Sequence, residues 1–182
     1  PRGKDIVRSL SARADVLTEN FRPGVMERLG LSVESLMAEN PRLIYCAISG
    51  YGQDGPMAQR PAYDHVVQAV SGMMVINSDN RGEPWRIGFP IIDYVAGQSA
   101  AFAISSALFQ RERTGRGQVI DVAMLDTAVA IMAPALAPYL QGITPPSRTG
   151  GLAASGSPFS GMFETTEGVL ALAANAPSQA QS

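Results

Sequence analysis

The run Leu43-Ile-Tyr-Cys-Ala-Ile-Ser49 is apolar almost without interruption and is bounded by Asn40-Pro41 and Gly50. A strand that shows no polar alternation has no side to give to water, so it belongs inside a sheet covered on both faces. Such sheets are mainly parallel and are built from strands that alternate with helices. The neighbouring sequence fits that demand. Ile6, Val7, Leu10 and Ala14 recur at helical spacing, and Ala14 to Thr18 reads as a short strand. Asn20 to Gly24 is a turn rich in breakers, Val25 to Leu29 a short helix closed by Gly30, and Val33 to Glu39 a helix capped by Ser32 or Ser35.

Beyond Gly50 comes a polar loop to Pro61, long enough to suggest a functional one. Tyr63 to Gly72 predicts a helix with Val66, Val67 and Val70 on its apolar face. Asn77 to Glu83 is a polar turn, and Trp85 to Pro90 reads as a short extended strand. A long helix is expected over Tyr94 to Glu112, then a strand from Val119 to Ala123 and a second long apolar stretch to Leu140. Gln141 to Pro158 has linker composition. Gly161 to Thr165 and Val169 to Ala173 flank Thr166-Glu-Gly168, a hairpin pattern.

Composition narrows the function classes. Of 182 residues, 46% are hydrophobic and 16% charged, which marks a globular chain rather than a disordered one. A net charge of −2 without a basic run argues against nucleic acid. The single cysteine, Cys46, leaves no intrachain disulfide or zinc cluster, and a reducing, cytoplasmic setting fits. No apolar run reaches the roughly 18 residues of a membrane span without polar breaks. The ends suggest an internal piece of a longer protein.

One carboxylate stands out. Asp93 follows the apolar run Ile87 to Ile92 and opens the long helix. At a helix N-terminus it would meet unpaired N–H groups and the positive end of the helix dipole, which favour the ionised form. Position alone allows two roles, a simple N-cap or an ionised nucleophile, and the two can coexist.

Six segments in this order resemble the class III CoA-transferases, the family of formyl-CoA transferase, carnitine CoA-transferase and α-methylacyl-CoA racemase. They are Ala14-Asp-Val-Leu-Thr-Glu-Asn-Phe-Arg-Pro-Gly24, Asn40 to Ile44, Ser49-Gly-Tyr-Gly52 with Gly55-Pro56, Gln68 to Gly72, the Asp93 segment, and Glu112 to Gln118 followed by Asp121-Val122. The resemblance implies a Rossmann-like α/β large domain with a mainly parallel sheet, present here in part. Residues 1–124 would be part of this CoA-binding domain, 125–150 a helical linker and 151–182 the start of a small α+β domain. It also implies an interlocked homodimer for the full-length parent.

By position, the resemblance makes Asp93 the catalytic aspartate, which attacks an acyl-CoA and passes through a mixed anhydride and an aspartyl thioester. Asn20, Phe21, Arg22, Arg28, Tyr63 and Asp64 match or neighbour positions where the family grips CoA, the substrate-cofactor; no metal is implied. Arginines suit CoA's phosphates through forked, charge-assisted hydrogen bonds, although a surface arginine is also often only a solvated charge. Asn20 also fits a turn residue. A lysine used by some members is Pro61 here. Racemases carry histidine at the position of Tyr63, and a phenol is a poor base near neutral pH. His65, two residues on, is expected to be a partly buried structural residue facing elsewhere. Ala153-Ala-Ser-Gly-Ser-Pro158 matches a loop that closes over the site in formyl-CoA transferase, and equally suits a plain connector.

The leading expectation is CoA transfer between an acyl-CoA and a carboxylic acid. The alternatives are an acyl-CoA racemase, or a non-catalytic fragment that keeps the fold pattern.

Overall fold

The computed structural model describes residues 2–78, 83–143, 157–176 and 178–179. In chain order the elements are α1 (Arg2–Ser11), β1 (Val16–Glu19), α2 (Val25–Arg28), α3 (Val33–Glu39), β2 (Ile44–Ser49), α4 (Asp64–Val70), α5 (Met73–Ile76), α6 (Ile91–Thr114), β3 (Val119–Ala123), α7 (Met124–Ile131), α8 (Ala133–Leu140), β4 (Ser160–Thr165) and β5 (Gly168–Ala173). They belong to two compact units. One joins Pro1–Val67 to Pro90–Ala130, the other Gln68–Phe89 to Ile131–Ser182.

The first unit is α/β, as the alternation of strands and helices requires. Its three strands are parallel in the order β1-β2-β3, with Val16 opposite Ile44 and Tyr45 opposite Val119. β2 lies in the centre and is buried along nearly its whole length. Tyr45 and Ala47 pack on one side with Met26, Leu31, Leu36 and Leu43, joined by Val7, Leu17 and Val33. Burying a leucine such as Leu36 contributes about 1.5–3 kcal/mol. Ser32 caps α3 by accepting the Ser35 N–H at 3.3 Å.

α6 packs on β2 and β3. Its buried face is the row Ile92, Ala96, Ala100, Ala107 and Arg111, whose three alanines let helix and sheet approach closely. By length and composition alone α6 would suffice to cross a membrane; here one face of it covers the sheet. Two glycines permit close backbone approaches. A Cβ on Gly117 would lie 1.9 Å from the Leu43 carbonyl oxygen, and one on Gly50 would lie 2.3 Å from the Ala62 Cβ.

Several local expectations change. No strand forms between Trp85 and Pro90. The Trp85 N–H instead donates to the Met74 carbonyl, and the Ile87 N–H to Gln68 Oε1. α6 begins at Ile91, three residues before the expected Tyr94, with Pro90 at the N-cap. On α4, Val67 and Gln68 are buried whereas Val70 is 48% exposed, so the inward face is rotated from the valine pattern. A short helix, α5, occupies Met73–Ile76, where none was expected. The apolar stretch after β3 divides into α7 and α8.

In the second unit β4 and β5 pair antiparallel around Thr166-Glu167, with Ser160 opposite Ala173. Residues 79–82 of the expected Asn77 to Glu83 turn, and most of the expected 141–158 linker, including 153–156 of the expected closing segment, lie outside the described residues.

Candidate functional site

The chain leaves each parallel strand at the same end of the first unit, and there a cleft of about 510 Å³ opens. Asn20, Phe21, Arg22 and Pro23 follow β1; Ile48, Ser49 and Gly50 end β2; Met124 follows β3. The remaining wall comes from Ala58, Arg60, Ala62, Tyr63 and Asp64, and from Asp93, Ala96 and Gly97 of α6. Crevices beyond the carboxyl ends of strands are where open α/β sheets bind ligands, because loops can vary there without disturbing the sheet. A second, shallow groove of about 530 Å³ runs past Pro90, Tyr94, Gln98 and Ala101 and shares Asp93 and Gly97 with the cleft.

Loops around the cleft are tied to the sheet. Asn20 Nδ2 donates to the Ile48 carbonyl at 2.7 Å and so holds the β1–α2 turn against the end of β2. The Phe21 N–H donates to Glu19 Oε2 at 2.6 Å, leaving the ring exposed on the cleft wall. The loop after β2 is held by Gly52 N–H to Ser49 Oγ at 3.0 Å and by Gln53 N–H to Asp121 Oδ2 at 2.8 Å. Cys46, buried in β2, has its thiol pushed up by burial, with Glu19 and Asp121 adding to the effect. It is an inert core residue.

Asp93 is the third residue of α6 and is not its N-cap. Pro90 occupies the cap and makes no side-chain cap bond. The N–H groups that the sequence suggested were unpaired are taken by Asp64, whose Oδ2 accepts from Ile92 N–H at 2.7 Å and Asp93 N–H at 3.2 Å. Asp93 lines the cleft as an exposed residue whose carboxyl is only partly withdrawn from solvent. Burial, then the negative charge of Asp64, raises its pKa above the ordinary aspartate value. The expected bias of the helix terminus toward the ionised form is thus opposed by a like charge placed on that same terminus.

Six of the seven residues singled out in the sequence line this one cleft: Asn20, Phe21, Arg22, Tyr63, Asp64 and Asp93. Arg28 does not. It ends α2, and its guanidinium lies 3.2 Å from where a Cβ on Gly24 would stand. Arg60 was missed; it adjoins Pro61 and lines the cleft, a cation one residue from the position where a lysine was sought. His65 is exposed rather than partly buried. Its ring stacks on that of Tyr63 with centroids 6.0 Å apart and planes 4° from parallel. The expected divergence failed because Tyr63 precedes the helix, so helical spacing does not separate the pair. Among the described residues no group of three or more His, Cys, Asp or Glu side chains is gathered as a metal would need.

Comparison with known proteins gives the family and the fold. The sequence pattern of the family described as CoA-transferase family III matches residues 1–182. The chain is 48% identical over 139 residues to acetyl-CoA:oxalate CoA-transferase of Acetobacter aceti, covering 76% of this chain and 36% of that protein. It is 40% identical over 173 residues to succinate–glutarate CoA-transferase of Agrobacterium fabrum, covering 95% and 43%. The crystal structure of a CAIB/BAIF family protein from Brucella suis superposes with a TM-score of 0.85 at 39% identity, covering 92% of this chain and 44% of that one. The chain therefore spans well under half the length of these relatives. With pattern, identity and fold in agreement, the chain belongs to the family III CoA-transferases.

Proposed function

We infer that this chain supplies the nucleophile and part of the CoA grip of an enzyme that moves CoA between two carboxylic acids. The observation that carries this reading is the gathering of Asp93 with Asn20, Phe21, Arg22, Tyr63 and Asp64 in one cleft at the carboxyl ends of three parallel strands. The names of the relatives pair CoA with oxalate, succinate and glutarate, which supports small carboxylic acids as the substrate class.

In this reading an Asp93 carboxylate oxygen attacks the thioester carbonyl carbon of the donor. The C–S bond breaks and CoA leaves as thiolate, giving a mixed anhydride on Asp93. The thiolate then attacks the aspartyl carbonyl carbon, releasing the donor acid as carboxylate and leaving an aspartyl-CoA thioester. The acceptor carboxylate attacks that thioester and expels CoA thiolate again. Attack of the thiolate on the acceptor's acyl carbon yields the new acyl-CoA and restores the Asp93 carboxylate. No net proton is consumed.

A carboxylate is a weak nucleophile in water and needs a held position and reduced solvation. The start of α6 gives the first, and the partial burial that helps raise the proton affinity of Asp93 contributes to the second. Arg22 and Arg60 line the cleft as cations for CoA phosphates or substrate carboxylates, and Arg28 extends the grip beyond the cleft wall. An interlocked homodimer is proposed for the full-length protein. It is supported by a stripe of exposed aromatics on α6, with Tyr94 67%, Phe102 77% and Phe109 63% exposed.

The test is Asp93→Ala and Asp93→Asn in a full-length protein carrying this chain. Both abolish transfer, while CoA affinity measured by calorimetry is nearly unchanged. An Asp93→Asn enzyme that turns over like its parent would rule out the covalent route.

A further inference from the structure

We propose that Asp64 is a positioning residue, holding the first turn of α6 and so aiming Asp93, rather than a ligand for CoA. The inference rests on the reading of Asp93 as nucleophile for its catalytic consequence, but not for its structural one.

The geometry is specific. α6 is 24 residues long and starts without a side-chain cap of its own, because Pro90 has nothing to offer. Its first N–H groups would otherwise need water or a ligand. Asp64, the first residue of α4, reaches across from 28 residues away and takes two of them on a single oxygen, at 2.7 and 3.2 Å. α4 is itself anchored by Val67, which is fully buried and whose N–H bonds back to the Tyr63 carbonyl. Asp64 thus ties the rigid start of one helix to the start of another. One of its two bonds ends on the backbone of Asp93 itself, so the backbone from which the Asp93 side chain projects is held directly by the anchor.

The choice of a carboxylate has a second consequence. An Asn, Ser or Thr would cap the same N–H groups without charge. Asp64 caps them with a negative charge beside the carboxyl of Asp93. Around the cleft the charged or titratable groups are Arg22 from the β1–α2 turn, Arg60 and Tyr63 from the segment before α4, and Asp64 at its head. Of these it is Asp64, after burial, that raises the proton affinity of Asp93. A carboxylate less content as an anion is a stronger nucleophile, and it must lose its proton at a higher pH before it can attack.

The experiment uses a full-length protein carrying this chain, with two variants and two independent readouts. Backbone hydrogen exchange of the peptide spanning Ile92 and Asp93 reads the cap. Hydroxylamine trapping of the acyl group in a single turnover, across pH, reads the nucleophile. Asp64→Ala should speed that exchange by about 10- to 100-fold, the equivalent of one hydrogen bond to a charged acceptor. It should also slow acylation by about 100-fold, the scale for a misplaced reacting group. Asp64→Asn keeps an acceptor and removes the charge. It should restore most of the protection and move the acid limb of acylation to lower pH than in the parent. Parental exchange in Asp64→Ala, or an acid limb unmoved in Asp64→Asn, would overturn the proposal. So would equal loss of CoA affinity in both variants with exchange unchanged, which would return Asp64 to the CoA grip. If the parent forms no trappable acyl group, the covalent reading of Asp93 fails, while the exchange data still decide whether Asp64 holds α6.

Discussion

At the C-terminal end of α6, Arg111 is buried and its guanidinium donates to Asp15 Oδ1 at 2.7 Å, to the Arg42 carbonyl at 3.0 Å and to the Asp15 carbonyl at 3.3 Å. Gly115 closes the helix in the left-handed conformation, its N–H bonded to the Arg111 carbonyl. At the N-terminal end two carboxylates, Asp64 and Asp93, share the first turn, and one caps the backbone of the other. The first end joins unlike charges and gathers carbonyls from the starts of two strands around one cation. The second brings like charges together and opens onto a cleft. Such local conflict within a consistent frame is characteristic of functional sites. The C-terminal end holds α6 on the sheet, so the N-terminal end can carry a charge arrangement that stability alone would not select.

The comparison can be broken at either end. The larger effect on stability is expected from Arg111→Met, which leaves the Asp15 and Arg42 carbonyls without this donor. It should lower the unfolding free energy in urea by about 1–3 kcal/mol, the scale for hydrogen bonds made by a charged donor, here the buried Arg111 guanidinium. Arg111→Lys restores the charge but not the planar fork and should recover only part. An Arg111→Met protein as stable as its parent would show that this end is not the anchor.

The smaller effect runs the other way. The folded-state pKa of Asp93 is raised, so ionising Asp93 costs the folded state free energy. That cost is present above the folded pKa, shrinks as pH falls through it, and is gone below the unfolded value. Asp93→Asn should therefore melt slightly higher than the parent at neutral pH, and the gain should fade on acidification. A gain that grew as pH fell would mean that Asp93 is stabilised as an anion, and the contrast between the two ends would collapse.

Much of the frame was legible because its signals are local. β2 announced itself by its apolar run, α3 by Ser32, and the β4–β5 hairpin by Thr166-Glu-Gly168. The start of α6 was misread because Pro90 looks like a breaker and Asp93 like a cap, whereas the proline is the cap position and the capping oxygen comes from Asp64. No spacing rule links residues so far apart. The supposed strand before α6 has apolar residues but no strand partner, its N–H groups going to Gln68 and Met74. Arg60 adjoins Pro61 and carries no local signal beyond its charge that marks it as a cleft residue. Asp93 stood out by its position at a helix start, and the other candidate residues came from the family resemblance; those that lie just after strands or before a helix fall together where an α/β sheet exposes them. Which side chain holds which could not, because that depends on contacts between separate elements.

The most direct test of the central claim is to locate the acyl group. A full-length protein carrying this chain would be mixed with an acyl-CoA, quenched with hydroxylamine, digested and mapped by mass spectrometry. The account predicts a hydroxamate on Asp93 and on no other carboxylate, absent in Asp93→Asn. A hydroxamate elsewhere, or transfer that proceeds with Asp93 unmodified throughout the turnover, would contradict it.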